Sequence, residues 1–135
     1  FNPIHVGHMR ALEAAALHCQ HELHLEVAGA VLSLSHDTVV RNRYKRTPSE
    51  AIPGRHRLKL CQDMSKKYAW VAVDQWEVTR RAALDYLSVL DHVRSVWREA
   101  TVVRGRGGSG VAGKEGCEVK VIYVCDHSDL IRSSP

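Results

Sequence analysis

The chain has little cysteine, and what it has is scattered. Cys19, Cys61, Cys117 and Cys125 form no C-x-x-C pair. That argues against a disulfide framework or a zinc knuckle and for free thiols in an intracellular protein, with nuclear and cytoplasmic locations not distinguished. No apolar run approaches the roughly 20 residues needed to cross a bilayer, so no membrane partner is expected. Aromatic residues make up only 6%, with a single phenylalanine. The remaining composition, 44% hydrophobic and 25% charged, is that of a globular domain and excludes a disordered, collagen-like or low-complexity chain. A length of 135 residues makes one domain or a piece of one. The chain opens on Phe1 and closes on Pro135 after Ser133 and Ser134. Neither end reads as a natural terminus, so a fragment is expected.

The net charge is only +4, but the cations are clustered. Arg41, Arg43, Lys45 and Arg46 fall within six residues, and Arg55, Arg57 and Lys59 follow. Such a cluster is either a solvated loop or a surface for a polyanion: a nucleotide, a nucleic acid or a phosphorylated metabolite. Tyr44 is the one aromatic inside the patch. Stacking platforms for bases are therefore lacking, and a nucleic-acid-binding module is the less favoured reading.

Periodicity predicts a helix from Pro3 to about Gln20, carried by Ala11, Ala14, Ala15 and Leu17. The run Leu23–Leu34 has no charge after Glu26 and suits a buried strand of a parallel sheet. The polar, basic stretch His36–Ala51 contains Pro48 and reads as a loop. A helix is expected over Pro53–Lys67, with Leu58, Cys61 and Met64 on one face, and a short strand over Ala69–Val73. A long helix is expected over Val78–Arg98, with Arg80 and Arg81 facing out. Val103–Gly116 is a Gly-rich insertion, and Val119–Val124 is a further strand. This alternation predicts an α/β domain with a parallel sheet.

The sharpest signal is the opening Phe1-Asn2-Pro3-Ile4-His5-Val6-Gly7-His8. His5 and His8, three residues apart, share a face at a helix start, where free N–H groups and the positive end of the helix dipole lie. That makes either a phosphate grip or an ordinary polar helix start. Gly7 between them would let a nucleotide approach the backbone closely. The opening resembles that of the nicotinamide/nicotinate mononucleotide adenylyltransferases, within the wider HxGH nucleotidyltransferase superfamily. Further segments carry the resemblance in family order: Leu32–Asp37 (LSLSHD), Ile52–Leu58 (IPGRHRL), Trp70–Glu77 (WVAVDQWE), Leu84–His92 and Val124–Leu130 (VCDHSDL).

The resemblance implies a Rossmann-like, doubly wound parallel sheet with flanking helices, its first strand and C-terminal part missing. Residues 1–135 would form a partial nucleotidyltransferase domain with a flexible insertion at about 103–117. Because the missing strand is central in a 3-2-1-4-5 sheet, the piece alone is expected to be inactive and poorly folded. The implied reaction moves the adenylyl group of ATP to nicotinamide or nicotinate mononucleotide, releasing pyrophosphate. Another HxGH nucleotidyltransferase, of the pantetheine-phosphate adenylyltransferase or cytidylyltransferase type, is the alternative. His8 would stabilise charge at the α-phosphate and His5 would support it. Phe1, Asn2, Gly7 and the loop cations Lys45 and Arg46, with Arg41 a further candidate, would bind ATP and its phosphates. Trp76 would pack the pyridine ring unless it is a core residue, and Glu77 would orient that segment. Asp129 would bind a ribose hydroxyl of the mononucleotide or cap the next helix. Mg²⁺ would arrive with ATP, without a protein metal site. A homo-oligomer stays open. The G-x-G-x-x-G match at Gly105–Gly110 precedes no helix pattern, and the G-x-x-x-x-G-K match at Gly108–Lys114 is followed by Glu115. Both fail the context that their chemistry requires. His18, His21 and His24 step around a helix rather than sharing a face, which does not suit a metal.

Overall fold

The computed structural model describes residues 1–106 and 119–125. The chain divides into two compact units, Phe1–Leu84 and the part from Asp85 onward. In the first, helix α1 spans Val6–His21, strand β1 Ala30–Ser33, helix α2 Asp37–Arg43, a 3-10 turn Pro48–Glu50, helix α3 Gly54–Ser65 and strand β2 Val71–Asp74. β1 and β2 pair in parallel, with Ala30 opposite Val71 and Ser33 opposite Asp74. A parallel pair needs a crossover between its strands, and α2 and α3 supply it. The arrangement is α/β, a parallel sheet with flanking helices, as a Rossmann-like fold requires.

Ile4, Met9, Leu32, Leu34, Cys61 and Val71 form the buried core, with Phe1, Leu58, Met64, Trp70 and Val78 packed around it. Burial raises the Cys61 thiol above its ordinary value, as expected for a thiol acting as a small core hydrophobe. Gly54, which opens α3, is fixed by crowding. A β-carbon there would lie 2.6 Å from Val78 Cγ2 and 2.7 Å from Asp37 Oδ1, so no larger side chain lets the helix start so close to the α2 entrance.

Several boundaries differ from the sequence reading. α1 starts at Val6 rather than Pro3, because His5 is extended (φ −148°, ψ 171°) and acts as the cap. β1 is four residues long, not twelve. Its predicted first half instead closes α1, with the Glu22 and Leu23 N–H groups donating to His18 O and the Leu25 N–H to Cys19 O. His24 turns this corner at φ 51°. The expected loop 36–51 holds α2 and the 3-10 turn, since His36 caps α2 and Val40 is buried beneath it. The long helix begins late, at Tyr86. Ahead of it, Thr79 Oγ1 donates to Gln75 O at 2.9 Å, holding residues 75–80 in a turn, so Arg80 ends that turn and Arg81 follows it in a bend, neither on a helix.

In the second unit, helix α4 spans Tyr86–Arg106. Asp85 caps it by accepting from Ser88 N–H at 2.9 Å. Val103–Arg106 are helical, which corrects the start of the Gly-rich segment. The rest of that segment, including most of both glycine motifs, lies outside the described residues. The strand expected at Val119–Val124 does not form a ladder. Among the described residues the sheet has two strands, and Ile122, Tyr123 and Val124 stay about half exposed. An apolar β-branched run becomes a strand only when a neighbouring edge takes its N–H and C=O groups. Tyr123 instead stacks with Tyr86 at 6.4 Å.

Candidate active site

A chain of hydrogen bonds gathers the segments that leave the carboxyl ends of the two strands. After β1, His36 N–H donates to Glu77 Oε1 at 2.9 Å. The His36 ring does two further things: Nδ1 accepts from Thr38 N–H at 3.1 Å, and Nε2 lies 3.1 Å from Arg80 O. A neutral imidazole that accepts at Nδ1 carries its proton on Nε2, so Nε2 donates to that carbonyl. One histidine thus caps α2 and clamps the turn after β2. Glu77 is 8% exposed. Burial raises its carboxyl pKa, and the His36 N–H bond opposes the shift. Glu77 thereby ties the segment after β1 to the turn after β2.

Arg57 is the second tie. Its side chain is fully buried and meets Asp37 Oδ1 through Nη2 at 2.6 Å. Nη2 also donates to Ser35 O and Nε to Ile52 O, each at 2.9 Å. Asn2 continues the chain, its Nδ2 donating to Glu50 O and its Oδ1 accepting from Ile52 N–H, both at 2.8 Å. These bonds bring the Phe1–His8 segment to the strand exits. In open parallel sheets that is where ligands bind.

At the start of α1, His5 and His8 cap the helix reciprocally. Gly7 N–H donates to His5 Nδ1, and His5 N–H donates to His8 Nδ1, each at 3.1 Å. The two rings lie 3.8 Å apart, and Phe1 meets His8 edge-on at 4.8 Å. Both Nδ1 atoms accept, so both protons sit on Nε2. Each imidazole then presents an Nε2–H donor at the helix N-terminus, beside first-turn amides of Gly7 and His8 that are already paired with His5. Gly7 also makes room within the protein. A β-carbon at Gly7 would lie 2.9 Å from His5 Cε1, so its space is taken by the His5 ring.

Burial, then the neighbouring His5, holds the His8 imidazole below its ordinary pKa. The folded state therefore binds fewer protons than the unfolded chain below about pH 6.5. The stability that His8 contributes is present above that pH and is lost as pH falls through its folded value. We expect the His8 Cε1 proton to titrate in NMR with a midpoint below 6.5. A midpoint at or above 6.5 would contradict the buried, capping ring.

The structure brings Phe1, Asn2, His5, Gly7 and His8 together, and places Trp76 and Glu77 on the turn after β2. Lys45 and Arg46 follow α2 and are exposed. Asp129 lies outside the described residues. The cation cluster loses two members: Arg57 is buried against Asp37 and Lys59 pairs with Asp63 at 3.1 Å. Asp37 and His36 had no assigned role in the sequence, and Arg57 counted only as one of the clustered cations. A signal for Arg57 was its place four residues before Cys61, on the apolar face of α3. An arginine there needs a buried partner.

A family model described as cytidylyltransferase-like matches residues 1–130. Among curated proteins, the chain is similar to nicotinamide/nicotinic acid mononucleotide adenylyltransferase 2 of Danio rerio, 31% identical over 101 residues, 75% of this chain and 31% of that protein. The Xenopus tropicalis protein of the same name is 30% identical over the same shares. The Caenorhabditis elegans one is 28% identical over 99 residues, 73% of this chain and 41% of that protein. The chain thus spans 31% of the length of the first two relatives. The family match runs through the capped histidine pair, both strand exits and the α3 entrance, and the chain belongs to the cytidylyltransferase-like family.

Proposed function

We propose that the protein containing this chain transfers the adenylyl group of ATP to nicotinamide or nicotinate mononucleotide, a step of NAD biosynthesis. The observation that carries the reading is the reciprocal cap, which leaves two Nε2–H donors at a helix N-terminus. The similarity to mononucleotide adenylyltransferases supports the choice of acceptor. In the reaction, a phosphate oxygen of the mononucleotide bonds to the α-phosphorus of ATP. The bond from that phosphorus to the bridging oxygen breaks, and pyrophosphate leaves with the electron pair. The attacking oxygen is already ionised, so no general base is needed. Catalysis rests on positioning and on neutralising charge.

His8 would donate to the α-phosphate oxygens as charge builds there, with His5 beside it. Lys45 and Arg46 would hold phosphates from the surface after α2, Trp76 would pack the pyridine ring, and Asp129 would take a ribose hydroxyl. Among the described residues no three His, Cys, Asp or Glu side chains gather to hold a metal. The imidazole donors suit phosphate oxygens, and Mg²⁺ would be held by ATP phosphates and water, where it offsets phosphate charge.

The test supplies the full chain with ATP and each mononucleotide. Dinucleotide and pyrophosphate are expected in equal amounts. Pyrophosphate release with a pantetheine phosphate and with neither mononucleotide would overturn the reading.

A further inference from the structure

We propose that Arg80 biases the site toward the acid form of its pyridine mononucleotide, the one bearing a ring carboxylate, over the carboxamide. The inference rests on the reading of Trp76 as a pyridine contact. The Arg80 backbone is pinned from both sides: its N–H donates to Glu77 O at 3.1 Å, and its carbonyl accepts from His36 Nε2–H at 3.1 Å. Its guanidinium carbon lies 4.5 Å from the Trp76 ring centroid. A cation is therefore held on the residue that would pack the ring.

Among the described residues no carboxylate neutralises that cation. Arg80 is exposed and is in none of the ion pairs among the described residues. Two carboxylates share its segment, and both are engaged elsewhere. Asp74 Oδ1 accepts from Trp76 N–H at 3.1 Å, and Glu77 Oε1 accepts from His36 N–H.

The two mononucleotides differ in charge where this matters. Each has a cationic pyridinium nitrogen. With a carboxylate the ring system is neutral overall and presents an anionic edge; with a carboxamide it keeps its full positive charge. A fixed guanidinium attracts the first, through as many as two parallel N–H bonds, and repels the second. The sequence reading placed Arg80 outward on a helix. Its position on the turn after β2 is what brings it to Trp76.

The test measures kcat/KM for both mononucleotides in the full chain and in its Arg80→Gln and Arg80→Lys variants. The acid-to-amide ratio is expected to fall about tenfold or more in Arg80→Gln, chiefly through KM for the acid, and less in Arg80→Lys. The parent's ratio should also shrink as salt rises from about 0.05 to about 0.5 M, while that of Arg80→Gln stays flat. A ratio that moves less than about threefold in Arg80→Gln, with both substrates consumed, overturns the proposal and leaves the adenylyltransferase reading standing. A parent chain that consumes neither mononucleotide overturns both.

Discussion

His8→Ala is expected to lower kcat for dinucleotide formation by about 10²–10³, the loss typical for one donor aimed at developing charge. The substitution also removes the acceptor for His5 N–H, a helix-cap loss of about 1 kcal/mol. His8→Glu separates the two effects. Glutamate at the third helical position is the usual partner in a reciprocal cap, so it restores the acceptor and complements the helix dipole. It also sets an anion against the phosphate. We therefore expect His8→Glu to unfold in urea at or above the parent's midpoint and to be at least as inactive as His8→Ala. If His8→Ala stays within about tenfold of the parent, the assignment of His8 fails. If His8→Glu is active, the donor argument fails even though the cap stands.

The second large effect is on stability, and it is asymmetric. Arg57 is fully buried while Asp37 keeps 33% of its side-chain surface exposed. Asp37→Ala leaves a dry guanidinium with only the Ser35 and Ile52 carbonyls as partners, and Arg57 Nη1 already lacks one. Removing one partner of a buried pair costs about 3–5 kcal/mol, and that range applies to Asp37→Ala. Arg57→Met leaves a carboxylate that water can reach and fills the space with an apolar chain of similar length. Its cost is expected to be smaller, about 2 kcal/mol, mainly for the unmatched carbonyls. Urea unfolding of both variants in the full chain checks the order. Equal losses, or a greater loss in Arg57→Met, would show that the guanidinium does not depend on the Asp37 charge.

The contrast between these two sites is also a contrast in legibility. His5, Gly7 and His8 are adjacent in the chain, so a helix start with paired imidazoles was readable directly. Arg57 and Asp37 are 20 residues apart, and one sits among cations that looked like a surface patch. Only the crossover between β1 and β2 folds Arg57 under the α2 entrance. Arg80 is similar. Spacing assigned it to the outer face of a helix, but the Thr79 hydroxyl and the His36 ring hold its backbone in a turn instead.

The sequence by itself determined the α/β alternation as far as β2, because apolar period and β-branching are local properties. It also determined the histidine pair and the exits of both strands, whose motifs are contiguous. The tertiary structure decided where β1 begins, since a parallel strand is only as long as its partner and β2 offers four residues. It decided that 119–125 forms no ladder among the described residues, because pairing needs an edge that no local pattern provides. It also decided which cations face solvent and which are bound inside, since burial depends on neighbours far away in the chain.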